Sequence, residues 1–184
     1  MKFTSTLSTI AIALSLGAAS MGAHAQVMVG GAPMFAAKNI VENAVNSKDH
    51  TTLVAAVGAA GLVDTLKSAG PFTVFAPVNA AFDALPAGTV PTLLKPENKG
   101  MLAGVLTYHV VAGKLDTFEI GQRVAAGGGK AMLKTVAGGM LTVSANGNDM
   151  VVTDEKGGVA VVTTANVYQS NGVIHVIDKV LLPK

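Results

Sequence analysis

Three histidines, His50, His109 and His175, and the adjacent acids Asp154 and Glu155 are the side chains best placed by type for proton transfer or metal binding. A metal needs several such ligands converging, and the usual sequence trace is a close pairing such as H-x-x-x-H. Here each histidine stands alone, with no carboxylate pair beside it. Asp154-Glu155 runs into Lys156-Gly157-Gly158 and reads as a solvated turn, without the D-x-D-x-D-G pattern of a calcium loop. Covalent catalysis fares no better. The chain has no cysteine, and Ser47, Ser68, Ser144 and Ser170 all lie outside a G-x-S-x-G elbow. Gly127-Gly128-Gly129-Lys130 has the look of a phosphate loop, but Ala131 stands where magnesium needs a hydroxyl and Val124 where the first glycine belongs. That run reads instead as a flexible hairpin tip. The expectation is a protein that is not an enzyme and has no cofactor or metal.

His109 and His175 both sit within apolar, strand-like runs. A buried imidazole needs a hydrogen-bond partner, which backbone or a hydroxyl usually provides. A structural role is therefore the first reading for both, and the competing one makes Tyr108-His109 part of a binding surface.

The elements that would position these residues change character along the chain. Ile40, Val41, Ala44 and Val45 recur at helix-face spacing after Asn39. Asp49 is the expected cap of a second helix carrying Leu53, Val54 and Val57, and Leu62 to Ala69 forms another short one before Gly70-Pro71. Phe72 to Ala76 is a strand, Pro77 ends it, and Asn79 is the expected cap of a helix over Ala80 to Leu85. A helix from about Glu97 to Leu106 feeds a strand at Thr107 to Val111. Beyond Gly113 short β-like runs alternate with turns such as Asn146-Gly147. Helices first and strands later predict an α+β domain.

Before that domain, Lys2, the apolar run Leu7 to Leu16 and Ala23-His24-Ala25 have the form of a cleaved export signal over 1–25. Residues 26–38 read as a flexible leader and 39–184 as the single domain. A secreted or periplasmic protein with no membrane span after cleavage is expected. With 13 basic and 11 acidic residues scattered singly, nucleic acid is not an expected partner.

Three strings then carry a resemblance. Thr73-Val74-Phe75-Ala76-Pro77-Val78-Asn79-Ala80-Ala81-Phe82 resembles the first box of fasciclin (FAS1) domains, Tyr108-His109-Val110-Val111 their tyrosine-histidine motif, and Asn171 to Pro183 their second box. The resemblance implies a β-sandwich wedge with short helices packed along it. It also implies extracellular adhesion to a protein or glycan of a cell surface, matrix or biofilm. In animal members the tyrosine-histidine region and the segment before the second box are proposed integrin contacts. The matching positions are Tyr108, His109, Asn166, Val167 and Tyr168, and Asn166 lacks the acidic charge those members carry there. Some relatives look like pigment carriers, so the alternative is a soluble carrier of a lipophilic molecule, with the methionine-bearing stretch Met132 to Met150 as its mobile wall. Adhesion predicts an exposed patch at Tyr108, Asn166 and Tyr168 and no deep cavity. Carriage requires a cavity of several hundred Å3, on the order of the 300–1,000 Å3 of small-molecule sites.

Overall fold

The computed structural model describes residues 26–184, so the expected export signal lies outside the described residues. Residues 26–38 are more than a leader. They form a small hairpin of β1 (Met28–Val29) and β2 (Ala32–Pro33), and Val29 and Met34 are buried in the core. Two apolar side chains anchored under helices are reason enough for this segment to join the folded body.

The helical half begins as its pattern predicts. In α1 (Ile40–Ala44) the Asn39 side chain accepts from Glu42 N at 2.9 Å while Glu42 Oε2 accepts from Asn39 N at 2.9 Å, a reciprocal capping box. A 3-10 turn (Lys48–His50) leads into α2 (Thr51–Ala60), which Gly61 ends at φ 72°. Asp49 does not cap α2. Asn79 does so from elsewhere in the chain: its Oδ1 accepts from Thr52 N at 3.0 Å and Thr51 Oγ1 at 3.2 Å, and its Nδ2 donates to Lys48 O at 2.8 Å. Its own helix therefore starts without a side-chain cap.

After α3 (Val63–Lys67) come β3 (Phe72–Pro77), α4 (Asn79–Asp83) and α5 (Thr89–Leu93). A further 3-10 turn (Pro96–Asn98) precedes α6 (Lys99–Tyr108) and β4 (Val110–Ala112). Helix α6 runs further than its sequence pattern indicates, so Tyr108 is its last residue and His109 its C-cap, and neither lies on a strand. Helix α7 (Thr117–Ala126) lies in the region read as strands alone. Asp116 starts it by accepting from Glu119 N at 2.9 Å, and Gly127 to Gly129 form its exit rather than a hairpin tip. The rest is an antiparallel run of β5 (Lys130–Lys134), β6 (Met140–Asn146), β7 (Asp149–Thr153), β8 (Val159–Gln169) and β9 (Gly172–Ile177). The stretch Met132 to Met150, expected to be mobile, is thus paired strands of the sheet joined by two turns.

These strands make one seven-stranded sheet in the order β4-β3-β9-β8-β7-β6-β5. Strand β8 pairs with β7 through its first residues and with β9 through its last, and register shifts between Val162 and Val167 bend it. The bend folds the sheet over, and a bridge between Val111 and Thr135 nearly closes it. The result is the expected α+β architecture, a sandwich made from one continuous sheet.

Two cores follow from the alternation along β3 and β9, which pair in parallel. Phe75 and Ile177 point into the sandwich with Tyr108, Ile120, Leu133 and Leu141. Val74, Ala76, Ile174 and Val176 face the other way, against the helices. Both faces of these two strands are covered, which is why they read as near-continuous apolar runs, interrupted by Thr73 in β3 and His175 in β9.

Candidate functional site

The helix-side core is incompletely filled. Between helices α1, α2 and α3 and the Val74, Ile174 and Val176 face lies a cavity of about 360 Å3, and the helices contribute small residues to its lining, Ala44 and Gly58 among them. Its walls are almost wholly hydrocarbon. This contradicts the expectation of no deep cavity, and the methionines of β5 to β7 play no part in its lining.

The few polar groups at the cavity are mostly spoken for. His50 Nδ1 and Ser47 Oγ are 2.8 Å apart, and both residues are buried. His50 Nε2 has no hydrogen-bond partner, although the nearby Ala76 backbone favours a proton on the ring. Burial is the larger influence and holds the His50 pKa below its ordinary value. His109 Nδ1 donates to Val105 O at 2.8 Å, which leaves Nε2 to accept from Leu181 N at 2.9 Å. Desolvation lowers its pKa to about 4, so the ring is neutral at ordinary pH.

The residues singled out from the sequence separate into different environments. Tyr108 has no exposed surface and lies inside the sandwich. Its hydroxyl donates to Met140 O at 2.9 Å and accepts from Glu155 N at 3.0 Å, pinning the sheet where it folds over. His109 and Val167 are buried and line the cavity. Asn166 sits at φ 57°, a conformation asparagine tolerates better than most residues. Its amide is committed to Thr117, accepting from the backbone N at 2.9 Å and donating to Oγ1 at 2.7 Å. Asn166 is half-buried and Tyr168 is the most exposed of the five: Lys114 Nζ lies 4.9 Å from its ring centroid, and its hydroxyl is 3.3 Å from Asp116 Oδ2. The expected patch of Tyr108, Asn166 and Tyr168 therefore does not exist as one surface. Exposed Phe118, the second residue of α7, is the apolar side chain that sequence reasoning missed on this side.

The remaining candidates for chemistry are structural. His175 Nε2 bonds Leu115 O at 2.8 Å and its ring stacks on Phe75 with centroids 5.6 Å apart. Asp154 is not the solvated acid its turn suggests. It is buried and accepts from Lys156 N, Gly158 N and Leu182 N, tying the C-terminal segment to a turn. Among the described residues no three His, Asp or Glu side chains gather as a metal site would require, and no helix is long and apolar enough to cross a membrane.

Comparison with known proteins adds a family to this geometry. The family described as "Fasciclin domain" matches residues 48–183. Protein sll1483 of Synechocystis is 49% identical over 148 residues, covering 80% of this chain and 74% of that protein. Cell surface glycolipoprotein MPB83 of Mycobacterium bovis is 38% identical over 122 residues, 66% of this chain but only 48% of that protein. Among solved structures, a FAS1 domain pair from the insect cell adhesion molecule Fasciclin I superposes with a TM-score of 0.71 at 16% identity, covering 79% of this chain and 51% of that one. That last likeness speaks for the fold alone. From its three motifs, its folded-over sheet and the family match over most of its length, the chain belongs to the fasciclin domain family.

Proposed function

We propose that this protein is a secreted or periplasmic binding protein, not an enzyme, that holds a lipophilic small molecule between its helices and its sheet. The observation that carries the proposal is the apolar cavity of about 360 Å3, a volume within the range of small-molecule sites. An empty hydrocarbon cavity of this size costs stability, because its lining loses packing contacts. A ligand restores them. Pigment-like and other hydrocarbon-rich molecules match walls that present so few free polar atoms. The test is titration with a neutral fluorescent polyene such as diphenylhexatriene. Saturable one-to-one binding supports carriage, and no binding at all removes it.

A second reading, adhesion to a protein or glycan of a cell surface, matrix or biofilm, is favoured by a different place on the molecule. Tyr168, partly exposed between Lys114 and Asp116, offers an aromatic face with charge on both sides, the composition of a small recognition surface. The cell adhesion molecule that shares the fold, and the cell-surface relative, point the same way. The two readings use opposite sides of β8 and are not exclusive: Val167 faces the cavity and Tyr168 faces out.

A further inference from the structure

Resting on the carrier reading, we propose that the molecule held in the cavity is a single-chain amphiphile with an anionic head, a long-chain carboxylate whose tail fills the cavity and whose head meets Lys67 at the mouth. The deep part of the site selects for hydrocarbon. Ser47 is bonded to His50 Nδ1, His109 uses both ring nitrogens on backbone, and the sheet floor offers Val74, Ile174 and Val176. Among the described residues, His50 Nε2 is the one buried side-chain polar atom there found without a partner. A sugar or peptide would leave its own polar groups without partners there, which is costly.

The mouth is different. It opens among α1, α2 and α3, where exposed Val45, Gly58, Thr65 and Lys67 join the lining. Lys67 is the one cation among the residues that line this cavity, no acid is among them, and it makes no salt bridge among the described residues. Asp64 stands three residues before it on α3 without pairing to it. A lysine at such a rim lays its methylene stem along the apolar wall and keeps its ammonium in water, where an anionic head emerging from the cavity would sit. A volume near the lower end of the small-molecule range suits one chain and excludes a two-chain lipid.

The experiment uses protein from its own host, stripped of bound lipid, with diphenylhexatriene as the displaced probe. Dodecanoate, dodecanol and dodecyltrimethylammonium compete for it below their aggregation thresholds. The proposal expects dodecanoate to compete about three- to fivefold better than dodecanol and the ammonium to be the poorest, the scale of an exposed ion pair. Lys67→Met should erase the order, Lys67→Glu should invert it, and Lys130→Glu, remote on β5, should leave it unchanged. A flat order, or one indifferent to Lys67→Glu, overturns the carboxylate assignment while probe binding keeps the carrier reading. Failure of the polyene and all three amphiphiles to bind overturns both. Thermal unfolding of each variant checks that these surface changes leave the fold intact.

Discussion

Replacing Gly58 with leucine should make this protein more stable and less able to bind. Gly58 lies one turn after Val54 on the cavity-facing side of α2, is exposed, and would meet nothing within 4 Å if given a Cβ. Its helix is otherwise regular from Thr51 to Ala60. A glycine there costs about 1 kcal/mol relative to alanine, and leucine recovers most of it, so the gain should be about 0.5–1 kcal/mol. For a domain of this size that is a rise in Tm of about 1–4 °C. The leucine side chain adds four carbons at the mouth and displaces about three or four methylenes of any occupant. At about 0.8 kcal/mol per buried methylene that is about 3 kcal/mol, a loss of affinity on the order of a hundredfold. Gly58→Ala is the control, with the stability gain and little loss of binding. Circular dichroism melts and polyene fluorescence read the two quantities separately. A Gly58→Leu protein that binds like the wild type would show that the ligand does not occupy the mouth beside α2.

Acid should weaken the fold through its buried histidines. His109 takes a proton near 6.5 when unfolded and near 4 when folded, so between these values the unfolded chain binds more protons. Stability should therefore be fully present above pH 6.5 and fall by about 3 kcal/mol on going down to pH 4, with His50 and His175 shifted in the same direction. Urea midpoints at several pH values measure this, and an NMR titration finding folded His109 charged at pH 6 would contradict it. Asn79→Ala should cost about 1–2 kcal/mol by uncapping α2, although it lies at the start of α4; loss of hydrogen-exchange protection should be confined to Thr51, Thr52 and their neighbours. Tyr168→Ala should change stability by no more than about 0.5 kcal/mol, since the ring is on the surface. Under the adhesion reading it should still abolish capture of a surface partner, and unaltered capture would exclude this face.

Local signals were legible where the structure uses them locally. The helix-face spacing after Asn39 and the largely apolar strand of β3 ended by Pro77 appear in the chain as they appear in space. Asn79 misleads because its side chain turns away from its own helix to a neighbour distant in sequence, a tertiary use that no window along the chain contains. Helix α7 is legible and yet missed: Ile120 and Val124 stand four apart on its core-facing side and Asp116 precedes it as a cap, but the glycines and short β-like runs that follow draw the whole region into a strand reading. Tyr108-His109-Val110-Val111 looks like strand by composition, yet its first two residues finish a helix whose upstream turns already fix their geometry. The cavity is the least legible feature. It arises from volume that neighbouring elements fail to fill, and no residue type marks that failure. Of the five residues named from the sequence, His109 and Val167 reach it, but as wall rather than as the exposed contact first expected.

Occupancy of the cavity by a lipophilic molecule can be measured directly on the native protein. The direct measurement is native mass spectrometry, with an absorbance scan, on protein purified from its own host without detergent. With no tryptophan and only two tyrosines, a bound chromophore stands out against weak protein absorbance. A reproducible non-covalent adduct of one small, solvent-extractable molecule per chain is expected, and it should be lost in Gly58→Leu protein. A clean unliganded mass for the wild-type protein, under conditions that preserve known lipid complexes, would contradict it.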